Sequence, residues 1–344
     1  MTNVSKTNMD KTNKVSIIMT VRNEEKNIAN VIEALLRQTY EYEEIVINDN
    51  GSSDRTVEII NEFQKHSSKI RLVKSNGKSI GEGRNTAIEN SCGDILAVMD
   101  AGIYPENDWL EMVVSPMIEN NEIDVSWGHV IFDTKSRIRP STNINLALVF
   151  LTKYPEDKKQ TKNVPSSAFR KRVWEKLGGF PEIQIPIEDL ILIEEIKNLG
   201  FREIHTFDAR AYYFVYPKSF KDVFEKWIIS ACCSLLVRKS ELGFFRQVSI
   251  FGMFFLSLFL ILLDAKMVLL FFAYIIVFMV HKARSNKELA KKIFTSPALF
   301  FTVFTLFFVL NAARLFGVIK AISILATGKS PKIVYKPMGK VTSE

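Results

Sequence analysis

The sequence predicts an α/β fold with a doubly wound sheet, followed by an α-helical membrane region. Apolar strands alternate with amphipathic helices over residues 15–99, which is the pattern of a parallel sheet with helices on both faces. From Val248 onward, long apolar runs are almost free of charge, as is typical of membrane helices. A chain of 344 residues has room for both modules.

The first strand is predicted at residues 15–20, a short and mostly apolar run. Asn23 is expected to cap the helix that follows, with two acidic residues in its first turn. Three more strands are predicted at 44–48, 70–73 and 95–99, separated by helices that begin near Asp54 and Gly83. The last of these strands is wholly apolar, as in the buried centre of a parallel sheet. Ligands of such sheets bind at the carboxyl ends of the strands.

The second half of this domain, which we place at 15–216, is less regular. Its predicted elements are a helix at 109–120, a strand at 123–132, and two helices at 170–177 and 188–199 that end at glycines. Residues 133–162 carry only a weak pattern. We expect this half to form the acceptor side of a binding site.

The region after residue 216 divides into segments of alternating character. In order, they are an amphipathic interfacial helix (217–246), a transmembrane helical hairpin (247–281), a basic cytoplasmic loop (282–297), a second apolar helical pair (298–328) and a basic tail (329–344). The apolar stripe of the first helix is equally typical of a core face. Asn311 and Arg314 interrupt the second pair, which is predicted to be either transmembrane or re-entrant. Basic residues on both sides of it favour an even number of crossings and a cytoplasmic α/β domain.

The composition narrows the classes of partner. The net charge is +7, and the basic residues gather beside the apolar runs, which favours anionic membrane lipids over nucleic acid. The amino terminus, 1–14, is polar and is predicted to be flexible. Since it has no apolar core, it is not expected to be a secretory signal. The three cysteines lack the spacing of a disulfide framework or a zinc site, which indicates packed thiols in a reducing compartment.

Polar side chains follow the first two predicted strands. Thr20, Arg22 and Glu24 come at the end of the first strand, and Asp49 and Asn50 at the end of the second. A carboxylate or amide at these positions can bind the edge of a nucleobase and the hydroxyls of a ribose. The alternative is an ordinary strand–turn–helix corner with capping side chains.

Two further features point to a phosphate and a cation. Gly81 and Gly83 would let the backbone approach a ligand, and Arg84 could clamp a phosphate through its planar guanidinium. Asp100 follows the buried strand, where an unpaired carboxylate is costly unless a cation or donor meets it. Glu188 and Asp189 begin a predicted helix, where acidic residues are favourable in any case.

In this order, the motifs resemble those of the family-two inverting glycosyltransferases, which share the GT-A nucleotide-diphosphosugar fold. The resemblance covers residues 15–216. The segments that carry it are Thr20-Val-Arg-Asn-Glu24, Asp49-Asn-Gly-Ser52 with Asp54, Gly83-Arg-Asn85, Gly93-Asp94, Asp100-Ala-Gly102, Leu177-Gly-Gly-Phe-Pro181 and Glu188-Asp189.

The resemblance implies roles for these residues. The nucleoside would be held by five side chains, namely Thr20, Arg22, Glu24, Asp49 and Asn50. Arg84 would contact the pyrophosphate, Asp100 would hold Mg²⁺ or Mn²⁺, and Asp189, with Glu188 beside it, would be the base that takes the acceptor proton.

Three positions depart from the family pattern. Asn50 replaces an acid near the base, which implies a changed nucleotide preference, and Gly102 replaces the second metal carboxylate, which implies weak metal binding. The Gln-x-x-Arg-Trp signature of processive synthases is absent, which favours transfer of a single sugar.

The expected function is transfer of one sugar from a nucleotide-diphosphosugar to a lipid-linked or cell-envelope glycan acceptor, at the cytoplasmic face of the cell membrane. Two alternatives share the chemistry, a polyprenyl-phosphate glycosyltransferase and a processive polysaccharide synthase. A third, suggested by Gly102, is a degenerate transferase that acts as a membrane binding or assembly subunit.

Overall fold

The computed structural model describes residues 13–75, 77, 79–133, 135, 142–152, 162–183, 188–214, 217–237 and 268–327. The strands in these ranges are β1 (Val15–Val21), β2 (Glu44–Asp49), β3 (Ile70–Lys74), β4 (Ile95–Met99), β5 (Ile103–Pro105), β6 (Val125–Phe132), β7 (Ser166–Arg170) and β8 (Glu203–Tyr213). The helices are α1 (Ile28–Leu36), α2 (Thr56–His66), α3 (Ile80–Glu89), α4 (Trp109–Glu119), α5 (Asn143–Thr152), α6 (Lys171–Leu177), α7 (Glu188–Asn198), α8 (Phe220–Val237), α9 (Val268–Ser285), α10 (Lys287–Thr295) and α11 (Pro297–Ala326).

The strands form one mixed sheet in the order β3-β2-β1-β4-β7-β6-β8-β5. The first four strands are parallel, as predicted, and their carboxyl ends lie at one edge. β7 runs antiparallel to both β4 and β6, so the sheet is not parallel throughout. The predicted α/β class is confirmed, whereas β5, β7 and β8 were not predicted. Their sequences are short or polar, and β7 has two apolar residues, Ala168 and Phe169, among its five.

Apolar cores cover both faces of the sheet. One core packs α1 and α4 against the strands and includes the fully buried Trp109. The opposite core packs α3, α6 and α7 against the sheet and includes Trp127, whose exposed fraction is 1%. Because helices on both faces hold the strands, the loops at the carboxyl edge rest on a rigid support.

A third core lies outside the sheet and joins two parts of the chain. Leu146–Leu151 of α5 are buried in it together with residues of α9, α10 and α11 and with Val223 of α8. Helix α5 falls within 133–162, where no element was predicted. The α/β domain therefore shares a core with the carboxyl-terminal helices and does not end cleanly at residue 216.

One prediction about the carboxyl-terminal helices is wrong, and a second segment has more structure than predicted. The chain from Pro297 to Ala326 is one continuous helix instead of an apolar pair, because the side chain of Asn311 donates to the carbonyl of Phe307 in the same helix at 2.7 Å and does not break it. The predicted basic loop contains α10, which is capped by Asn286.

Helices α8 and α11 pack closely at Gly317, where an added Cβ would lie 2.6 Å from the carbonyl oxygen of Ile228. Among the described residues, one helix, Pro297–Ile324, is long and apolar enough to cross a membrane, on grounds of length and composition alone. Most of the predicted hairpin (247–267), the tail from 328 and residues 1–12 lie outside the described residues.

Candidate active site

A buried arginine holds three carboxylates together beyond the carboxyl end of β4. Nη1 of Arg84 donates to Oδ1 of Asp189 at 2.5 Å, and Nη2 donates to Oδ1 of Asp100 at 3.1 Å. Oε1 of Glu188 lies 3.8 Å from Nη1. The side chain of Arg84 is 2% exposed and that of Glu188 is 6% exposed, whereas Asp189 and Asp100 are 32% and 35% exposed. Two of the three acids are therefore open to a ligand.

The three acids sit at the ends of regular elements, whereas Arg84 lies in the middle of α3. Helix α3 is capped by Ser79, whose hydroxyl accepts from the amide of Glu82 at 3.1 Å. Asp100 follows the last residue of β4 directly, and Glu188 and Asp189 form the first turn of α7. Acidic residues are favourable at that end of a helix, so α7 supports the two carboxylates that it presents.

Crowding of the acids shifts their protonation. Burial lowers the pKa of Arg84, but the charges of Asp189, Asp100 and Glu188 outweigh it and raise the pKa above its ordinary value. Burial, reinforced by the charge of Asp189, raises the pKa of Glu188 to about 7. Burial also raises the pKa of Asp100. Glu188 therefore exchanges a proton near neutral pH, inside a cluster that contains one permanent cation.

The residues predicted to hold a nucleoside gather between β1, β2 and the segment before α3. Oδ1 of Asp49 accepts from the amide of Ser52 at 3.2 Å. Asn50 donates to the carbonyl of Ser79 at 2.9 Å and accepts from the hydroxyl of Ser75 at 2.7 Å. Both polar atoms of the Asn50 amide are thus engaged within the protein.

The first-strand residues reach the same edge. Arg22 donates to the carbonyl of Gly77 at 3.3 Å, and Thr20 accepts from Nδ2 of Asn48 at 3.4 Å. Asn48 was not predicted, although an amide inside the apolar strand 44–49 is a detectable signal. It is fully buried, and its Oδ1 has no hydrogen-bond partner among the described atoms. The structure therefore adds Asn48 to the polar groups at this edge.

The turn after β1 differs from the predicted helix start. Helix α1 begins at Ile28, and Asn23 adopts a left-handed conformation with φ of 56°. The side chain of Asn23 accepts from the amide of Ser53 at 2.9 Å, and the amide of Glu24 donates to Thr56 at 2.8 Å. Asn23 therefore links the turn after β1 to the turn after β2, and it is not the N-cap of α1. Contacts of Glu24 and its neighbours with a nucleoside stay predictions.

A divalent ion has one predicted ligand here. Among the described residues, no group of three or more His, Cys, Asp or Glu side chains is arranged to hold a metal. Asp100 is partly exposed and offers a hard carboxylate oxygen, which suits Mg²⁺ or Mn²⁺ when phosphate oxygens complete the coordination. The residues present thus fit an ion shared with a bound diphosphate.

Comparison with known proteins identifies a family domain in the amino-terminal half of the chain. The model of Glycosyl transferase family 2 matches residues 16–178. Glycosyltransferase AglE of Haloferax volcanii is 30% identical over 191 residues, which is 54% of this chain and 62% of AglE. WfgD of Escherichia coli, named as a UDP-Glc:alpha-D-GlcNAc-diphosphoundecaprenol beta-1,3-glucosyltransferase, is 36% identical over 108 residues, or 31% of this chain and 42% of WfgD. The matches thus span less than two thirds of each of these relatives.

The fold has a counterpart among solved structures. The mannosyltransferase PcManGT from Pyrobaculum calidifontis, in complex with GDP-Man and Mn²⁺, superposes with a TM-score of 0.55 at 17% identity, covering 90% of this chain and 87% of that one. At this identity the likeness establishes a shared architecture only. The match over 16–178 therefore shows that the chain contains a Glycosyl transferase family 2 domain, and the superposition shows that this domain has a GT-A-like fold.

Proposed function

We propose that the protein transfers a single sugar, with inversion, from a nucleotide-diphosphosugar to a lipid-linked or cell-envelope glycan acceptor. One observation carries this proposal: Arg84 joins Asp100, at the end of a donor-side strand, to Asp189, at the start of an acceptor-side helix. Donor and acceptor would therefore meet at a single point, as a direct displacement requires.

Exposure distinguishes the two candidate bases. The side chain of Asp189 is 32% exposed, so a hydroxyl of an acceptor can approach it, whereas Glu188 is 6% exposed and lies behind it. We assign the base to Asp189. It would take the proton of the acceptor hydroxyl while the oxygen attacks the anomeric carbon from the side opposite the leaving diphosphate, which inverts that centre.

The donor would lie between the nucleoside residues and Asp100. Thr20, Arg22 and Asp49 lie at the edge where the base and ribose would bind. A bound Mg²⁺ or Mn²⁺ would offset the charge that develops on the departing diphosphate. Asp100 would hold it with the phosphate oxygens, and with Gly102 in place of a second acid we expect weak affinity.

The acceptor class is supported by the membrane character of the chain and by a relative. The name of WfgD states a diphosphoundecaprenol-linked acceptor. Helix α11 is long and apolar enough to span a bilayer, and basic residues such as Lys287, Lys291 and Lys292 flank it on α10, as anionic lipid head groups would favour. We propose a multi-pass membrane protein with its active site at the cytoplasmic face, close to polyprenyl-linked substrates.

The test is transfer by the full-length protein in lipid nanodiscs. Radiolabelled UDP- and GDP-sugars are supplied with Mn²⁺ and an extract of polyprenyl-linked glycans, and lipid-bound label is measured. We expect label on a lipid-linked saccharide, lost in Asp189→Asn and retained in Asp208→Asn, which changes an exposed acid of β8.

Other outcomes point to the alternatives. A sugar attached to a bare lipid phosphate would identify a polyprenyl-phosphate glycosyltransferase, and a long polymer would identify a processive synthase. Absence of transfer from every donor, together with no thermal shift on adding nucleotide diphosphate and Mn²⁺, would refute the enzymatic proposal and leave an assembly subunit.

A further inference from the structure

Asn85, which follows Arg84 on α3, forms hydrogen bonds through both the oxygen and the nitrogen of its side-chain amide. Its Oδ1 accepts from Nε1 of Trp174 at 2.9 Å and from the amide of Phe180 at 2.7 Å. Its Nδ2 donates to the carbonyl of Phe180 at 3.0 Å and to Oε1 of Glu182 at 3.1 Å. The residue is 1% exposed, so water does not replace these partners.

These partners lie in α6 and in the segment that follows it towards α7. Two glycines with positive φ, Gly178 at 74° and Gly179 at 95°, turn the chain at its start. An added Cβ on Gly179 would lie 3.0 Å from Oδ1 of Asn85. The segment is thus shaped around the side chain of Asn85.

Helix α3 lies unusually close to this segment. An added Cβ on Gly81 would lie 2.1 Å from the carbonyl oxygen of Pro181. The guanidinium of Arg84 lies over the ring of Phe180, 5.3 Å from its centroid. Consecutive residues of α3 therefore hold both ends of the connection between α6 and α7: Asn85 holds residues 174–182, and Arg84 holds Glu188 and Asp189.

Gly83, in the same turn of α3, packs against residues at the end of β1 and β2 that are proposed to hold the donor. An added Cβ on Gly83 would lie 2.2 Å from Oγ1 of Thr20 and 2.8 Å from Nδ2 of Asn48. Helix α3 therefore packs between the residues proposed to hold the nucleoside and the segment that leads to the proposed base. The segment that contains Phe180 and the proposed base Asp189 are thus both bonded to α3, through Asn85 and Arg84.

We infer that Asn85 is a positioning residue, which fixes the segment from Gly178 to Glu182 against α3 and so sets the distance between Asp189 and the donor. This inference rests on the proposed transferase function. Among the described residues, the hydrogen bonds of Asn85 reach neither the proposed nucleoside residues nor the acids bound by Arg84, so its loss should leave donor binding intact. A displacement of about 1 Å between reacting groups can cost roughly 100-fold in rate. Asn85 would thus control turnover and not donor affinity.

The test first removes the amide donor of Asn85 and then supplies a donor from its partner, Glu182. Asn85→Asp keeps the bonds from Trp174 and Phe180 but sets a carboxylate against the carbonyl of Phe180 and against Glu182. Combining it with Glu182→Gln lets an amide donate to the new carboxylate. Asn90→Asp, on an exposed residue at the end of α3, is the matched control.

For Asn85→Asp we expect kcat to fall roughly 30- to 100-fold, while donor KM changes less than about 3-fold and nucleotide binding is unchanged. The double variant should recover about 5-fold or more in kcat, and Asn90→Asp should resemble the wild type. Hydrogen exchange should accelerate in residues 178–182 of Asn85→Asp and not in β1 or β4.

Two results would overturn the inference. One is unchanged exchange in residues 178–182 of Asn85→Asp, which would show that the amide does not hold the segment. The other is a loss of donor affinity as large as the loss of kcat, without recovery in the double variant, which would show a general defect of folding. A wild-type protein that transfers no sugar refutes the proposed function instead, and the exchange measurement separates the two failures.

Discussion

Replacement of Glu188 by Gln should make the protein more stable at neutral and alkaline pH. Glu188 is 6% exposed and lies beside Asp189, and its pKa is raised to about 7 from an ordinary value of 4.5. Between these two pH values, the folded protein retains a proton that the unfolded chain has released. The free energy of unfolding of the wild type therefore falls as the pH rises through this window.

The size of the effect follows from the pKa difference. A rise from 4.5 to about 7 corresponds to about 3 kcal/mol that is lost completely only above the higher value. Glu188→Gln has the shape of the protonated acid and no proton to lose, so it should match the wild type below pH 4.5 and exceed it by about 3 kcal/mol at pH 8. For a domain of about 200 residues this is roughly 6–12 °C in Tm.

The assay is thermal unfolding of wild-type and variant protein in one detergent between pH 4 and pH 8.5. Glu195→Gln, on the same helix and only partly buried, is the control for removal of an acid from α7. A Tm difference between Glu188→Gln and the wild type that is constant, or that grows as the pH falls, would refute the argument. A constant difference would mean that Glu188 does not titrate between pH 4 and pH 8.5.

Three further predictions test other parts of the molecule. Gly83→Ala should raise donor KM about 10-fold, because its Cβ would lie 2.2 Å from Thr20 and overpacking at such a site costs about 1–3 kcal/mol; an unchanged KM in a donor titration would contradict the close contact. Asp100→Asn should lower kcat roughly 100-fold and abolish stimulation by Mn²⁺, which a metal titration measures; persistence of the stimulation would place the ion elsewhere. Gly317→Leu should lower Tm by several degrees in thermal unfolding, since even its Cβ would lie 2.6 Å from a carbonyl oxygen of α8. The control is Gly200→Ala, which has open space around it and a positive φ of 70°. It should lower the free energy of unfolding by only about 1 kcal/mol.

The parallel half of the sheet could be predicted because its strands are buried on both faces. β4 is wholly apolar, β1 is mostly apolar, and β2 has the apolar run Ile45–Ile47 at its centre. This pattern does not depend on distant partners. β7 could not be predicted in the same way. Ser166 and Ser167 are fully buried there and are stabilised by hydrogen bonds to Trp109 and Val164, which local periodicity does not reveal.

The site was predicted as a set of residues but not as an arrangement. Arg84 was expected to face a pyrophosphate, and in this structure its guanidinium is directed at Asp100 and Asp189, the latter 105 residues away in the chain. Which acid meets a buried arginine is decided by how the fold brings α3 to the start of α7, so sequence spacing carries no signal for it. Asn85 lies in a recognised motif, yet its role depends on the packing of α3 against residues 174–182.

The carboxyl-terminal helices were misjudged for a local reason. Asn311 and Arg314 were interpreted as an interruption of the apolar run, since polar groups are costly in apolar surroundings. The amide of Asn311 instead finds an acceptor one turn earlier in its own helix. A helix supplies such acceptors at every turn, so a lone polar residue does not end it.

Sharing of the third core has a practical and an evolutionary consequence. Leu146–Leu151 of α5 are covered by helices that follow residue 268, so a fragment ending near residue 216 would leave six consecutive side chains of α5 without their cover. Such a fragment should aggregate even though its sheet is complete. For the same reason, the carboxyl-terminal helices cannot be exchanged for those of another transferase unless α5 changes with them, and the two halves must evolve as a matched pair.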